Sequence, residues 1–93
     1  MSADAPRFVI TTHAVAEMAR RGLAADTILA VLEAPEQTVP VRTGRVVYQS
    51  RVAFPPDGHT YLVRVIVDTR QETLEVVTAY RTSKLAKYWD ERS

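Results

Sequence analysis

Two strand-like runs, "YLVRVIVD" at 61–68 and "TLEVVTAY" at 73–80, are separated by only four residues. β-branched and aromatic side chains dominate both, and such side chains favour extended, pleated backbone. A link this short closes a hairpin and is too short for the crossover that parallel neighbours need, so the two runs pair antiparallel. If 68 lies opposite 73, then 64 lies opposite 77 and 61 opposite 80. Alternation then gathers Tyr61, Val63, Val65, Val67, Leu74, Val76, Thr78 and Tyr80 on one nearly apolar face. The other face holds Leu62, Arg64, Ile66, Glu75, Val77, Ala79 and Arg81. The apolar face is predicted to meet helices and the mixed face to stay open.

The N-terminal half supplies the helices. Residues 1–6 read as a loose tail, and 7–93 as a single domain. "RFVITT" is a short strand or an extended lead-in. Thr11 or Thr12 then caps a helix, because a threonine oxygen satisfies a free amide of the first turn. In "HAVAEMARR", Ala14, Val15 and Met18 share one side, and Gly22 ends the helix as a left-handed cap. "AADTILAVLEA" forms a second helix with a broad apolar face at Ile28, Leu29, Val31 and Leu32. Asp26 suits its N-terminal dipole, and Pro35 stops it.

Then the chain turns to β structure. Pro40 confines "QTVPVR" to a sheet edge or a bulge. Thr43-Gly44 marks a turn, "RVVYQSRV" runs back, and "FPPDGHT" is a loop. "SKLAKYW" makes a helical turn or two. The expected fold is α+β: two N-terminal helices packed on one face of an antiparallel three- to four-stranded sheet, with a short C-terminal helical turn.

The chain has 93 residues and no cysteine, which removes disulfides, thiolate metal sites and a cysteine nucleophile. Two histidines without paired-ligand spacing offer no metal site, and no cofactor-binding motif occurs. No apolar run is long enough to span a membrane, and no secretory signal opens the sequence, so the expected location is the cytoplasm. A net charge of +1 means that nucleic-acid binding would depend on charges sorted into patches. Some sorting is visible: 81–87 carries three bases and no acid, whereas 24–37 carries three acids and no base. Because the second helix bears no Arg or Lys, the helix–Gly22–helix unit is not expected to read DNA sequence.

Each candidate residue admits a plain structural reading as well. Tyr80, Arg81, Lys84, Lys87 and Tyr88 form either a solvated basic turn or a phosphate patch with a ring for base stacking. Arg64 pairs diagonally with Glu75 across the hairpin, or its planar fork takes a phosphate. His13, at a helix start, is a polar capping neighbour or a proton-transfer group.

"HAVAEMARRGL", "LVRVIVD" and "VVTAYRTSKLAKYW" together resemble the domain of unknown function 4258 family, whose first helix reads roughly His-Ala-x-x-Arg-Met-x-x-Arg-Gly-Ile. That family is similar to RelE-like toxins and the wider barnase, colicin and RelE group of metal-independent RNases. The resemblance implies a toxin-type endoribonuclease of a toxin–antitoxin pair, with RNA or the ribosome and a small antitoxin-like protein as partners. The alternative is an inactive module that binds RNA, a ribosome or a protein. His13, Arg21, Thr78, Tyr80, Arg81 and Lys84 fall on the family's polar positions. The implied roles are His13, Tyr80 and Arg81 in catalysis, and Arg21, Arg64, Thr78, Lys84 and Lys87 on RNA phosphates. Glu17 departs from the pattern by standing where the family usually has Arg.

Overall fold

The computed structural model describes residues 7–91; the tail expected over 1–6 lies outside the described residues. Five strands, Phe8–Ile10 (β1), Gln37–Arg42 (β2), Arg45–Phe54 (β3), His59–Asp68 (β4) and Leu74–Thr82 (β5), form one sheet in the order β1-β5-β4-β3-β2. Three short helices accompany it: Thr12–Arg20 (α1), Ala25–Glu33 (α2) and Leu85–Tyr88 (α3).

This corrects the expected architecture. The sheet is five-stranded and mixed, not a three- or four-stranded antiparallel sheet under two helices, and strand residues outnumber helical ones. The added member is β1, which lies parallel to β5 with Phe8 opposite Leu74 and Ile10 opposite Val76. The Leu74 amide donates to the Arg7 carbonyl (2.9 Å) and the Thr11 amide to the Val76 carbonyl (3.1 Å). A strand of three residues shows no period-two signature of its own, and its partner is some 65 residues away, so local pattern gives no sign of the pairing.

The hairpin register differs as well. Arg64 lies opposite Tyr80 rather than Val77, and Asp68 opposite Glu75 rather than Thr73. The first shift is odd and the second even, because a bulge falls between the Ile66–Thr78 and Val67–Val76 pairs and leaves Val77 as the extra residue. Before the bulge, Leu74 and Val76 keep their expected face. Beyond it every side chain changes sides: Thr78 and Tyr80 join Arg64, while Ala79 and Arg81 join Val63. The expected Arg64–Glu75 pair therefore does not form.

Local chemistry explains the helices. Thr11 caps α1: its Oγ1 accepts the Ala14 amide (3.1 Å) and donates to the Val76 carbonyl (3.0 Å), tying the helix start to β5. Gly22, at φ 66°, ends α1 while the Leu23 amide donates back to the Met18 carbonyl (2.9 Å). Pro40 lies on edge strand β2 beside a register shift, so it interrupts no interior ladder.

The core lies between the helices and one sheet face. Ala14, Met18, Leu23, Ile28, Val31 and Leu32 pack against Val63, Val65, Val67, Val76 and Ala79. Each fully buried Val or Ile stabilises the fold by ~1.5–3 kcal/mol. The opposite face is not left open. Val47, Gln49 and Leu62 are buried there, where the C-terminal segment returns across the sheet.

Candidate phosphate-binding site

The returning segment organises a polar cluster around Arg64. On this face Gln37 lies opposite Gln49, Gln49 opposite Arg64, and Arg64 opposite Tyr80, so one row crosses four strands. Arg64 donates through Nε to Gln49 Oε1 (2.9 Å) and through NH1 to Tyr80 Oη (2.6 Å). Its guanidinium lies 4.4 Å from the Tyr88 ring centre and 5.8 Å from that of Tyr80, and the two rings meet edge-on at 6.3 Å. Gln49 Nε2 donates to Gln37 Oε1 (2.8 Å) and to the Tyr88 carbonyl (3.1 Å). Gln37 pairs twice with the Asp90 backbone, donating to its carbonyl (2.7 Å) and accepting its amide (3.0 Å).

Arg64 is therefore fixed in direction yet half-buried, and no carboxylate among the described residues neutralises it. Among the described residues Arg81, Lys84 and Lys87 also lack an acidic partner. Arg81, exposed on the helix-facing side, lies over the rings of Phe54 (4.5 Å) and Tyr61 (4.7 Å). Lys84 and Lys87 are exposed on the turn and helix that follow β5, with Lys87 Nζ 5.2 Å from the Tyr88 ring centre. Four cations thus surround the end of β5, three of them lying over aromatic rings. Arg is suited to that arrangement because its planar, weakly hydrated fork stacks while its edge N–H groups still donate.

Other expected site residues are placed differently. Arg21 NH1 donates to the Ala79 carbonyl (2.8 Å) and to Thr78 Oγ1 (3.3 Å), beyond the point where β1 stops flanking β5. Its NH2 pairs with Glu17, which also pairs with Arg20. Glu17 is 6% exposed, so the departure from the family pattern gives a buried anchor for two arginines. Arg21 and Thr78 clamp α1 to β5, with the Arg21 side chain still partly exposed. His13 is exposed on α1. Thr11, two residues before it, is bonded to Val76, and Tyr80 lies four strand residues further on, ~13 Å at a strand's rise. The buried side of α1 also packs on the sheet face opposite Tyr80. His13 is thus not brought together with Arg64 and Tyr80.

Gln37 and Gln49 escaped the sequence reading. The available signal is Gln49 in the interior of a strand-forming run, where an apolar or β-branched residue is the usual occupant; Gln37 opens its run and carries no such signal. Elsewhere, a groove of about 500 Å3 lies between α2 and β3. Asp26, Glu36 and Arg51 line it, and Arg51 is already paired with Glu36, so the groove offers phosphate no free cation. Among the described residues no group of His, Cys, Asp or Glu could hold a metal ion, and no helix is long and apolar enough to cross a membrane.

One protein-family model, described as Domain of unknown function (DUF4258), matches residues 10–81. No curated protein and no solved structure matches the chain.

Proposed function

The chain belongs to the DUF4258 family, and on that footing we propose that it is an RNA-binding module that grips single-stranded RNA around the end of β5. The observation that carries this reading is the set of four cations without acidic partners, Arg64, Arg81, Lys84 and Lys87, interleaved with Tyr80, Tyr88, Phe54 and Tyr61. Backbone phosphates supply charge for the cations, and unpaired bases supply flat faces for the rings. The resemblance to RelE-like toxins implies RNA as the partner, as a substrate to be cleaved or as a ligand. It also suggests a small acidic antitoxin-like partner for the same basic end, and a cytoplasmic setting.

A second reading, a metal-independent endoribonuclease, is favoured by one contact. The 2.6 Å bond from Arg64 to Tyr80 fixes a phenol beside a cation. In such a reaction the RNA 2′-hydroxyl gives its proton to solvent as it attacks the adjacent phosphorus, the bond to the 5′-oxygen breaks as that oxygen takes up a proton, and a 2′,3′-cyclic phosphate remains. Arg64 would stabilise the charged phosphorane, and Tyr80 would protonate the leaving oxygen.

Fluorescence anisotropy with a labelled single-stranded oligoribonucleotide, chelator present, tests both readings. Binding should weaken with salt, with a log–log slope of ~−0.7 per phosphate neutralised. Arg81→Ala, Lys84→Ala and Lys87→Ala should each lower the affinity and flatten that slope, whereas His13→Ala should change neither. Absence of binding at low salt refutes the module. Cleavage by the unaltered protein, with or without ribosomes, that falls by ~10²-fold or more in Tyr80→Phe establishes the enzyme instead.

A further inference from the structure

The C-terminal segment is attached in an unusual way. No residue of α3 is fully buried, and the segment lies on the face where Val47 and Leu62 are buried, so its attachment combines partial apolar cover with polar contacts. Sheet side chains make these contacts. Gln49 takes the Tyr88 carbonyl, Gln37 takes both the amide and the carbonyl of Asp90, Arg64 stacks on Tyr88, and Arg51 stacks on Trp89 at 4.4 Å. A cleft of about 220 Å3, lined by Arg51, Leu85, Ala86, Trp89 and Glu91, remains beside it.

The groups that hold this strap are two primary amides, 0% and 4% exposed, next to a guanidinium flanked by phenols. The Asp90 backbone offers Gln37 a donor beside an acceptor. The edge of a nucleobase offers the same pair, and bidentate glutamine contact with such an edge is an established mode of recognition.

We propose that Gln37 and Gln49 form a nucleobase-edge site, and that the strap over residues 85–90 occupies it as an internal mimic which single-stranded RNA displaces. The inference rests on the RNA-binding reading and adds to it a base-contacting site and a gate. When the strap lifts, the hydrogen bonds of Gln37 and Gln49 pass from the Tyr88 and Asp90 backbone to a base. Arg64, freed from Tyr88, turns to the adjoining phosphate. The exchange is nearly balanced in hydrogen bonds, as a gate requires, since a buried amide left unpaired would hold the strap shut.

Trp89 is the only tryptophan of the chain and lies on the strap, so its emission reports the gate directly. Acrylamide quenching of Trp89 is measured in the full-length protein with and without saturating single-stranded oligoribonucleotide, saturation being set by anisotropy. Displacement should raise the quenching constant about twofold or more. In parallel, Trp89→Ala removes the Arg51 stack without touching Gln37, Gln49 or Arg64, and should tighten RNA binding about two- to fivefold. Gln37→Leu in the Trp89→Ala background should then cancel that gain. RNA binding with unchanged or reduced Trp89 quenching overturns the gate and leaves the RNA-binding module standing. Absence of binding by the unaltered protein and by Trp89→Ala alike overturns both. Circular dichroism of each variant shows whether a loss reflects unfolding, and an affinity that stays fixed in folded Trp89→Ala also counts against the strap.

Discussion

Glu17 and Arg21 should be energetically coupled, and a double-mutant cycle measures by how much. Glu17→Gln keeps the shape of the side chain and deletes the charge that Arg20 and Arg21 share. Arg21→Gln deletes the clamp on Ala79 and Thr78. Exposed ion pairs are worth ~0.2–1 kcal/mol, and breaking a buried one costs ~3–5 kcal/mol. The Glu17 side chain is 8% exposed and that of Arg21 40%, so the pair falls between these limits, toward the lower one. A coupling of ~1–1.5 kcal/mol follows. Glu17→Gln alone should cost ~1–2 kcal/mol, which lowers Tm by ~5–15 °C in a domain of this size. Glu17→Arg, which restores the residue usual in the family, should destabilise at least as much by placing a third guanidinium beside two others. Urea and thermal unfolding of the four cycle members supply the numbers. A coupling below ~0.3 kcal/mol, the scatter of independent sites, would refute the view that Glu17 organises the α1–β5 clamp.

Three further outcomes are expected. Gln49→Leu should lose ~1–3 kcal/mol in urea unfolding, because the partners of a fully buried amide are left without it. Gly44→Ala should destabilise by ~1 kcal/mol or more by the same measurement, since φ is +81° there and an added Cβ would approach Arg70 Cγ at 2.7 Å. The side chain and then the amide of Arg70 hold the Asp68 carboxyl well below the usual carboxylate range, and Arg51 lowers that of Glu36. A depressed folded pKa adds stability above the unfolded value of ~4 that is lost as pH falls through the folded value. Urea midpoints should therefore drop below about pH 4, and Asp68→Asn should make that acid decline shallower.

What the sequence disclosed and what it withheld follow from the range of the forces involved. The Thr11 cap, the Gly22 stop and the edge position of Pro40 depend on backbone chemistry within a few residues, and each is readable where it stands. The Val77 bulge leaves no comparable mark, since Val76-Val77 is an ordinary strand dipeptide. The bulge moves Tyr80 from the core side to the side of Arg64. The basic cluster was legible as composition, but its arrangement was not. Arg64 and Tyr80 become partners only through the shifted register, and Gln37 and Gln49 gain their role only when the C-terminal segment returns over them. Thr78 and Arg21 entered as phosphate contacts through the family resemblance alone, and the bond between them across the α1–β5 junction has no local signal in the sequence.

The parallel seating of β1 against β5 bears on how the protein is made. Thr11 meets Val76 across 65 residues, so β1 finds β5 only after all the elements between them have been synthesised. Contacts so distant in sequence are closed late and slowly, because the loop entropy is lost before the pairing is gained. While the chain is still emerging from the ribosome, α1 has no β5 to clamp, and Arg64 has neither Tyr80 nor Tyr88 beside it. The cluster around the end of β5 therefore takes shape only after Tyr88 has been synthesised and β5 has paired.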